Sequence, residues 1–309
     1  MGEAFHKPVL LEEVLQALEP ASGQIYCDVT LGDGGHAKAI LQALGAHGLV
    51  IGIDRDAHAI ERAQQRLAPF GDRFRAIHGN FAELAKLLAA IQIRQVDGLV
   101  CDLGVSMVQI SEPNRGFMFS ADGPLDMRMQ SGHGLSAEEI INESSEQELA
   151  DIIWRYGEER KSRRIASLII KARQQKKITT TAELAAIVRR AVGEKYIIKS
   201  LARVFQAFRI YVNDELRSIK AFLPQAVDVL RPGGRLAIIE YHSLESRLIK
   251  DFIYAETHPC ICPKDLPQCV CGREPRIKIV HQLIKPSEKE IERNPSARSA
   301  RLRVIEKLP

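Results

Sequence analysis

Along the first hundred residues, short apolar runs alternate with stretches whose apolar positions recur every three or four residues. The runs Ile25–Thr30, Leu49–Ile53, Phe74–His78 and Val96–Cys101 carry β-branched or bulky apolar residues between Gly or Asp boundaries, which predicts strands. Between them, Ala37–Leu44, Ala57–Leu67 (stopped by Pro69) and Ala82–Ile91 read as helices. An earlier helical stripe, Val9, Leu10, Val14 and Leu18, ends at Pro20. Short apolar strands separated by helices imply parallel crossovers and a sheet covered on both faces.

After Asp102 the alternation stops. DLGVSMVQISEPNRGFMFSADGPLDMRMQSGHG is a long stretch rich in Gly, Pro and Asp. Its Phe117, Phe119 and Met127 predict a packed, functional loop rather than a disordered one. Capping boxes then open three helices: Ser136 with Glu139, Ser145 with Glu148, and Thr180 with Glu183. Helical pattern continues to about Leu230, and strand signal resumes at Arg235–Tyr241, Ile277–Ile284 and Leu302–Ile305. The economical reading is an α/β domain in two parts, residues 1–107 and 216–309, interrupted by a loop and an inserted all-helical domain at 108–215.

Composition refines this picture. The 309 residues are 45% hydrophobic and 27% charged, as expected of a globular chain. No apolar run approaches the ~20 residues of a membrane span. The first twenty residues include Glu3, Glu12 and Glu13 and do not read as a signal peptide. Six cysteines in a chain this long are no disulfide framework, and Cys27 and Cys101 lie in apolar runs. Together these features predict a cytoplasmic protein. Net charge is only +4, but residues 155–220 hold 17 Lys and Arg against 6 Asp and Glu. That asymmetry points to a polyanionic partner for the helical insertion.

The strongest chemistry lies in IYCDVTLGDGGHAKAI, where a strand runs through Asp28 into Gly32-Asp33-Gly34-Gly35-His36 and a helix. Glycines let the backbone approach a ligand, and a helix N-terminus offers unpaired N–H groups. Asp54 ends the next strand, where a carboxylate holds ribose hydroxyls. The spacing also fits a dinucleotide loop, but Asp28 and Asp33 place negative charge where a pyrophosphate would lie. They suit a cationic ligand such as S-adenosylmethionine. Asp28-x-Thr30-x-Gly32-x-Gly34 resembles the acidic glycine loop of class I (Rossmann-like) methyltransferases, with Thr at the first Gly. Phe81, after the third strand, is placed to pack on an adenine, and Asp102 ends the fourth strand at the ligand-binding edge of such sheets.

HKPVLLEEVL, DVTLGDGGHA, GIDRD, HGNF, CDLGVS, NRGFMFSADGPLDMRM, IIWRYGEER, FQAFRIYVNDEL, LRPGGRLAIIEYHSLESR and NPSARSARLRV resemble, in order, the bacterial 16S ribosomal RNA cytosine-N4 methyltransferases. The resemblance covers nearly the whole chain. It implies S-adenosylmethionine contacts at Gly34, Gly35, His36, Asp54, Phe81, Asp102 and Gln109. It further implies N4-methylation of a cytidine in the decoding region of 16S ribosomal RNA. The partner is then that RNA, in the assembled small subunit and with no membrane, and a homodimer is allowed. Three stretches depart from the family: Met107-Val108-Gln109 for Ser-Pro-Gln, Tyr241-His242-Ser243 for Phe-His-Ser, and Leu201-Ala202-Arg203-Val204-Phe205-Gln206 for Ala-Thr-Arg-Thr-Phe-Gln.

A cytosine amine is a poor nucleophile, so transfer depends on placing it in line with the sulfonium methyl and on an acceptor for an amine hydrogen. Asp102 is the first candidate acceptor, with Ser106, Asn213 and His242 behind it. Phe117, Phe119 and Tyr241 are candidates to stack an exposed base. Two rivals remain at this point: a nicotinamide-dependent oxidoreductase, and an RNA-binding assembly factor without turnover. Cys260-x-Cys262 and Cys269-x-Cys271 depart from the Cys-x₂₋₄-Cys spacing usual in zinc sites, so the expectation is thiols without a metal.

Overall fold

The alternation read along the chain becomes, in a computed structural model, seven strands in one sheet. Residues 7–130, 132–263, 268 and 270–309 are described; Glu3 and Cys269 lie outside them. The strands are β1 (Ile25–Asp28), β2 (Leu49–Asp54), β3 (Phe74–His78), β4 (Val96–Asp102), β5 (Leu230–Glu240), β6 (Ile277–Ile284) and β7 (Arg301–Lys307), in the order β3-β2-β1-β4-β5-β7-β6. Pairs among β1 to β5 are parallel, and β7 runs antiparallel to both neighbours. This is the class I methyltransferase sheet that the glycine loop and the resemblance imply.

The chain divides into two compact units, Met1–Gly104 with Leu216–Pro309, and Val105–Glu215. In the first, α1 (Leu11–Leu18) precedes β1, and α2 (Gly35–Ala43), α3 (Ala57–Leu67) and α4 (Leu84–Ala90) come after β1, β2 and β3. Successive strand residues face opposite sides, so each strand feeds two cores. Tyr26, Val50, Val100 and Ala237 pack with Val14, Ile40, Leu41 and Ala63 on one face. Cys27, Ile51, Leu99, Cys101 and Ile238 pack with Leu84, Phe222 and Ile249 on the other. Cys27 and Cys101 are fully buried, and burial pushes both thiols well up. The Arg231–Gly234 turn lies within β5: Leu230 pairs with Val96 and Arg235 with Gly98, so four residues loop out between them.

The second unit holds α5 (Met107–Ser111), α6 (Ala137–Glu143), α7 (Glu146–Gly157), α8 (Ser162–Gln175), α9 (Thr181–Val192) and α10 (Ile197–Asn213). All three capping boxes read from the sequence are formed. A single core joins Ile153, Ile169, Val188 and Phe208 with Leu125 and Met127 of the long loop. Gly116 (φ +75°) is required there, because a Cβ would stand 2.2 Å from the Pro124 carbonyl. Phe117 and Phe119 pack against this core, with Phe119 edge-on to Phe205 at 5.6 Å, rather than forming a free stacking platform. The chain returns through α11 (Glu215–Val229), α12 (Ser243–Thr257) and α13 (Glu288–Arg293).

Candidate active site

Strand order reverses between β1 and β4, since β1 is followed by β2 on one side while the chain later returns to the other. Ligands of open α/β sheets bind outside the carboxyl ends of strands at such a point. Asp28 ends β1, Asp54 ends β2 and Asp102 ends β4. The Asp102 N–H donates to Thr30 Oγ1 at 2.6 Å, tying the two strand ends together.

The three carboxyls share a polar, poorly hydrated edge. Burial pushes Asp28 up to about 7, against the hydrogen bonds donated by the Thr30 and Ala37 N–H groups, and the Asp54 charge adds to the rise. Its Oδ1 accepts from Thr30 at 3.2 Å, whereas its Oδ2 is buried without a partner. Burial also raises Asp54, opposed by N–H donation from Asp56 and Gly32 at 2.9 and 2.8 Å. Asp102 is pushed up to about 7 by burial, opposed by the Tyr241 hydroxyl and reinforced by the Asp28 and Glu245 charges. That hydroxyl donates to Asp102 Oδ1 at 2.7 Å, and burial beside Asp102 raises the phenol far above its ordinary value.

The glycine loop owes its composition mainly to packing. Gly34 takes a left-handed conformation (φ +72°) and lies against Leu67, and a Cβ on Gly35 would stand 2.3 Å from Pro8. Arg62 Nε donates to Asp33 Oδ1 at 2.8 Å, so the Asp33 charge is paired. Asp33 is therefore charge-balanced by Arg62, and the carboxyls gathered at the strand ends are those of Asp28, Asp54 and Asp102. The His36 ring turns inward to the Val9 carbonyl at 3.0 Å, and burial lowers its pKa to about 4. Phe81 follows β3 and meets Phe222 edge-on at 5.4 Å.

The remaining candidates have structural work to do. In the helical unit, Ser106 and Gln109 form the capping box of α5, each accepting from the other's N–H at 3.2 Å. Asn213 is buried; its Oδ1 accepts from Met129 N–H at 2.8 Å, and its Nδ2 donates to the Met127 and Arg209 carbonyls at 2.7 and 2.8 Å. In the sheet unit, His242 caps α12, with Nδ1 accepting from the Glu245 N–H at 3.4 Å and Nε2 3.2 Å from Glu245 Oε1. Tyr241, expected as a stacking ring, instead binds Asp102 through its hydroxyl. The signal for that role is visible in the sequence, as a tyrosine where the resembled family has phenylalanine.

The model of the MraW methylase family matches residues 3–308. The chain belongs to the MraW methylase family. Ribosomal RNA small subunit methyltransferase H of Carboxydothermus hydrogenoformans is 47% identical over 312 residues, which covers 99% of each chain. Proteins of the same name from Geobacter sp. strain M21 and Syntrophotalea carbinolica are 48% and 47% identical, over 100% and 98% of each chain. A methylase needs a methyl donor, and the residues present fit S-adenosylmethionine. Its ammonium and sulfonium are cations, and this edge offers three carboxyls, one with a buried oxygen left unpartnered.

Proposed function

We propose that this methylase modifies the exocyclic N4 amine of a cytidine in the decoding region of 16S ribosomal RNA, with Asp102 accepting an amine hydrogen. It is an S-adenosylmethionine-dependent methyltransferase of small-subunit ribosomal RNA. Gly34, Gly35, His36, Asp54, Phe81, Asp102 and Gln109 are the residues proposed to hold the cofactor, His36 through its backbone because its ring is engaged elsewhere. When bound, S-adenosylmethionine supplies an electrophilic methyl group.

One observation supports Asp102 over its rivals. Its one side-chain hydrogen bond among the described residues comes from Tyr241, at the switch point, and its pKa near 7 leaves it ready to accept or release a proton at neutral pH. Ser106, Asn213 and His242 already serve helix caps or a loop clamp. Tyr241 holds one Asp102 oxygen and leaves the other to orient an incoming amine.

Recognition of the RNA fits the helical unit. Arg163, Arg164, Arg189, Arg190 and Lys199 are exposed there. Trp154, Tyr196 and Tyr211 expose 55%, 54% and 44% of their surface, and Lys195 Nζ lies 5.5 Å from the Tyr196 ring centre. Cations interleaved with exposed rings suit phosphates and unstacked bases. The proposal extends to the assembled small subunit, whose folded RNA presents phosphates at fixed positions, and hence to the cytoplasm. No helix among the described residues is long and apolar enough to cross a membrane.

The test is labelled methyl transfer to small-subunit particles at saturating S-adenosylmethionine, followed by mapping of the modified nucleotide. Asp102→Ala is expected to lower the single-turnover rate ~10²–10⁴-fold with RNA affinity nearly unchanged. A rate within about threefold of wild type, far less than general-base loss produces, would remove Asp102 from the role.

A further inference from the structure

Between α12 and β6 the chain runs from His258 to Arg276 without helix or strand among its described residues. Its base is closed by the Arg276 N–H donating to the Glu256 carbonyl at 3.2 Å. Almost nothing in it is buried. Of its described residues only Pro259, Cys262 and Cys271 are drawn even partly out of solvent. Ile261 and Val270, the most apolar of its described residues, are 66% and 79% exposed. Hydrophobic burial therefore does not organise the described residues of this loop, although loops of such length without structure of their own are uncommon in compact domains.

The thiols are what converge. The sulfurs of Cys260, Cys262 and Cys271 all lie within 4.8 Å of one another. Cys260 Sγ and Cys271 Sγ are 3.8 Å apart, and the Val270 N–H donates to Cys262 Sγ at 3.4 Å. Zinc–thiolate bonds of ~2.3 Å in a tetrahedron put neighbouring sulfurs ~3.8 Å apart. A disulfide would require ~2.05 Å. An N–H aimed at sulfur is the kind of outer interaction that tunes a thiolate bound to a metal.

We propose that Cys260, Cys262 and Cys271 bind a structural zinc ion that staples this loop. Soft thiolates select zinc, copper(I) or iron–sulfur clusters, and zinc is the choice for a site that only holds a fold. Each thiol gives up its proton on binding. Cys269 lies outside the described residues and is assigned no role. The short Cys-x-Cys spacing, which in the sequence speaks against a metal, is accommodated because the third thiol arrives from the far end of the loop.

The full chain, purified anaerobically without chelator from zinc-supplemented cells, should contain close to one zinc per chain by plasma mass spectrometry. Cys260→Ser with Cys271→Ser should reduce that content at least roughly tenfold, since two ligands are removed. Circular dichroism and methyl transfer, read on both proteins, establish that the variant is folded. Cobalt added to chelator-treated wild type should produce a thiolate charge-transfer band that the double variant lacks. Equal zinc in the two folded proteins, a Cys260–Cys271 disulfide in the fresh protein, or iron or copper in place of zinc would each overturn the proposal.

Discussion

Asp102 and Tyr241 work as a pair because both are partly withdrawn from water. The phenol donates to the carboxylate at 2.7 Å, and that bond is the main influence lowering a pKa which burial pushes up to about 7. Tyr241→Phe removes the donor and keeps the ring. The ionised form of Asp102 then loses a charge-assisted bond, so its pKa rises and the base form appears only at higher pH. The ascending limb of the single-turnover pH–rate profile should move up by about one pH unit. Rates should fall near neutrality and converge with wild type in alkali. Superimposable profiles at saturating cofactor would separate Tyr241 from the acceptor. Asp28, Asp54 and Asp102 are legible in the sequence because each simply ends an apolar run. The pairing of Asp33 with Arg62 is not, since it depends on how α3 lies against a loop 29 residues earlier.

At the level of elements, Asp54 joins the end of β2 to the glycine loop by accepting from the Gly32 N–H, and to the approach to α3 by accepting from the Asp56 N–H. A ribose would therefore meet a carboxylate already fixed in place. Asp54→Ala should lower S-adenosylmethionine affinity at least tenfold in titration, through the removal of charge-assisted bonds worth roughly 1.5–3 kcal/mol each. It should also lower thermal stability, because two backbone donors lose their acceptor at a cost of about 1–3 kcal/mol each. Unchanged affinity in a variant that melts earlier would reduce Asp54 to a loop tether. The capping boxes of α6, α7 and α9 can be read directly because cap and partner stand three residues apart. The clamp of Asn213 on Met127 and Met129 cannot, because 86 and 84 residues separate the bonded groups. No local pattern distinguishes that asparagine from a catalytic one.

Across the whole molecule, charge is divided as the chain is, with the positive excess in the helical unit. Not all of it is available to RNA. Lys176 Nζ lies 2.7 Å from Glu183, a member of the capping box of α9, and Lys177 Nζ lies 2.7 Å from Glu138. Reversing those lysines would confuse RNA binding with helix stability. Arg163→Glu with Arg164→Glu, on exposed positions of α8, is the cleaner change. It should weaken RNA binding and lower the slope of log affinity against log salt by roughly 0.7–0.9 for each phosphate no longer neutralised. Cofactor affinity should hold. Equal binding at low salt would make the face a solvated one. The order of elements is readable at this scale because period-two and period-3.6 patterns alternate cleanly. The pairing of β4 with β5 carries no such local signal, because the helical insertion stands between them. That pairing also sets a timetable for synthesis. β4 ends at Asp102 and β5 begins at Leu230, so at ~5–20 residues per second the ribosome needs roughly six seconds or more to deliver the partner strand. Throughout that interval the growing chain carries an unpaired apolar strand edge in the middle of its future sheet. Until β5 emerges, that open edge is a site at which another chain can pair.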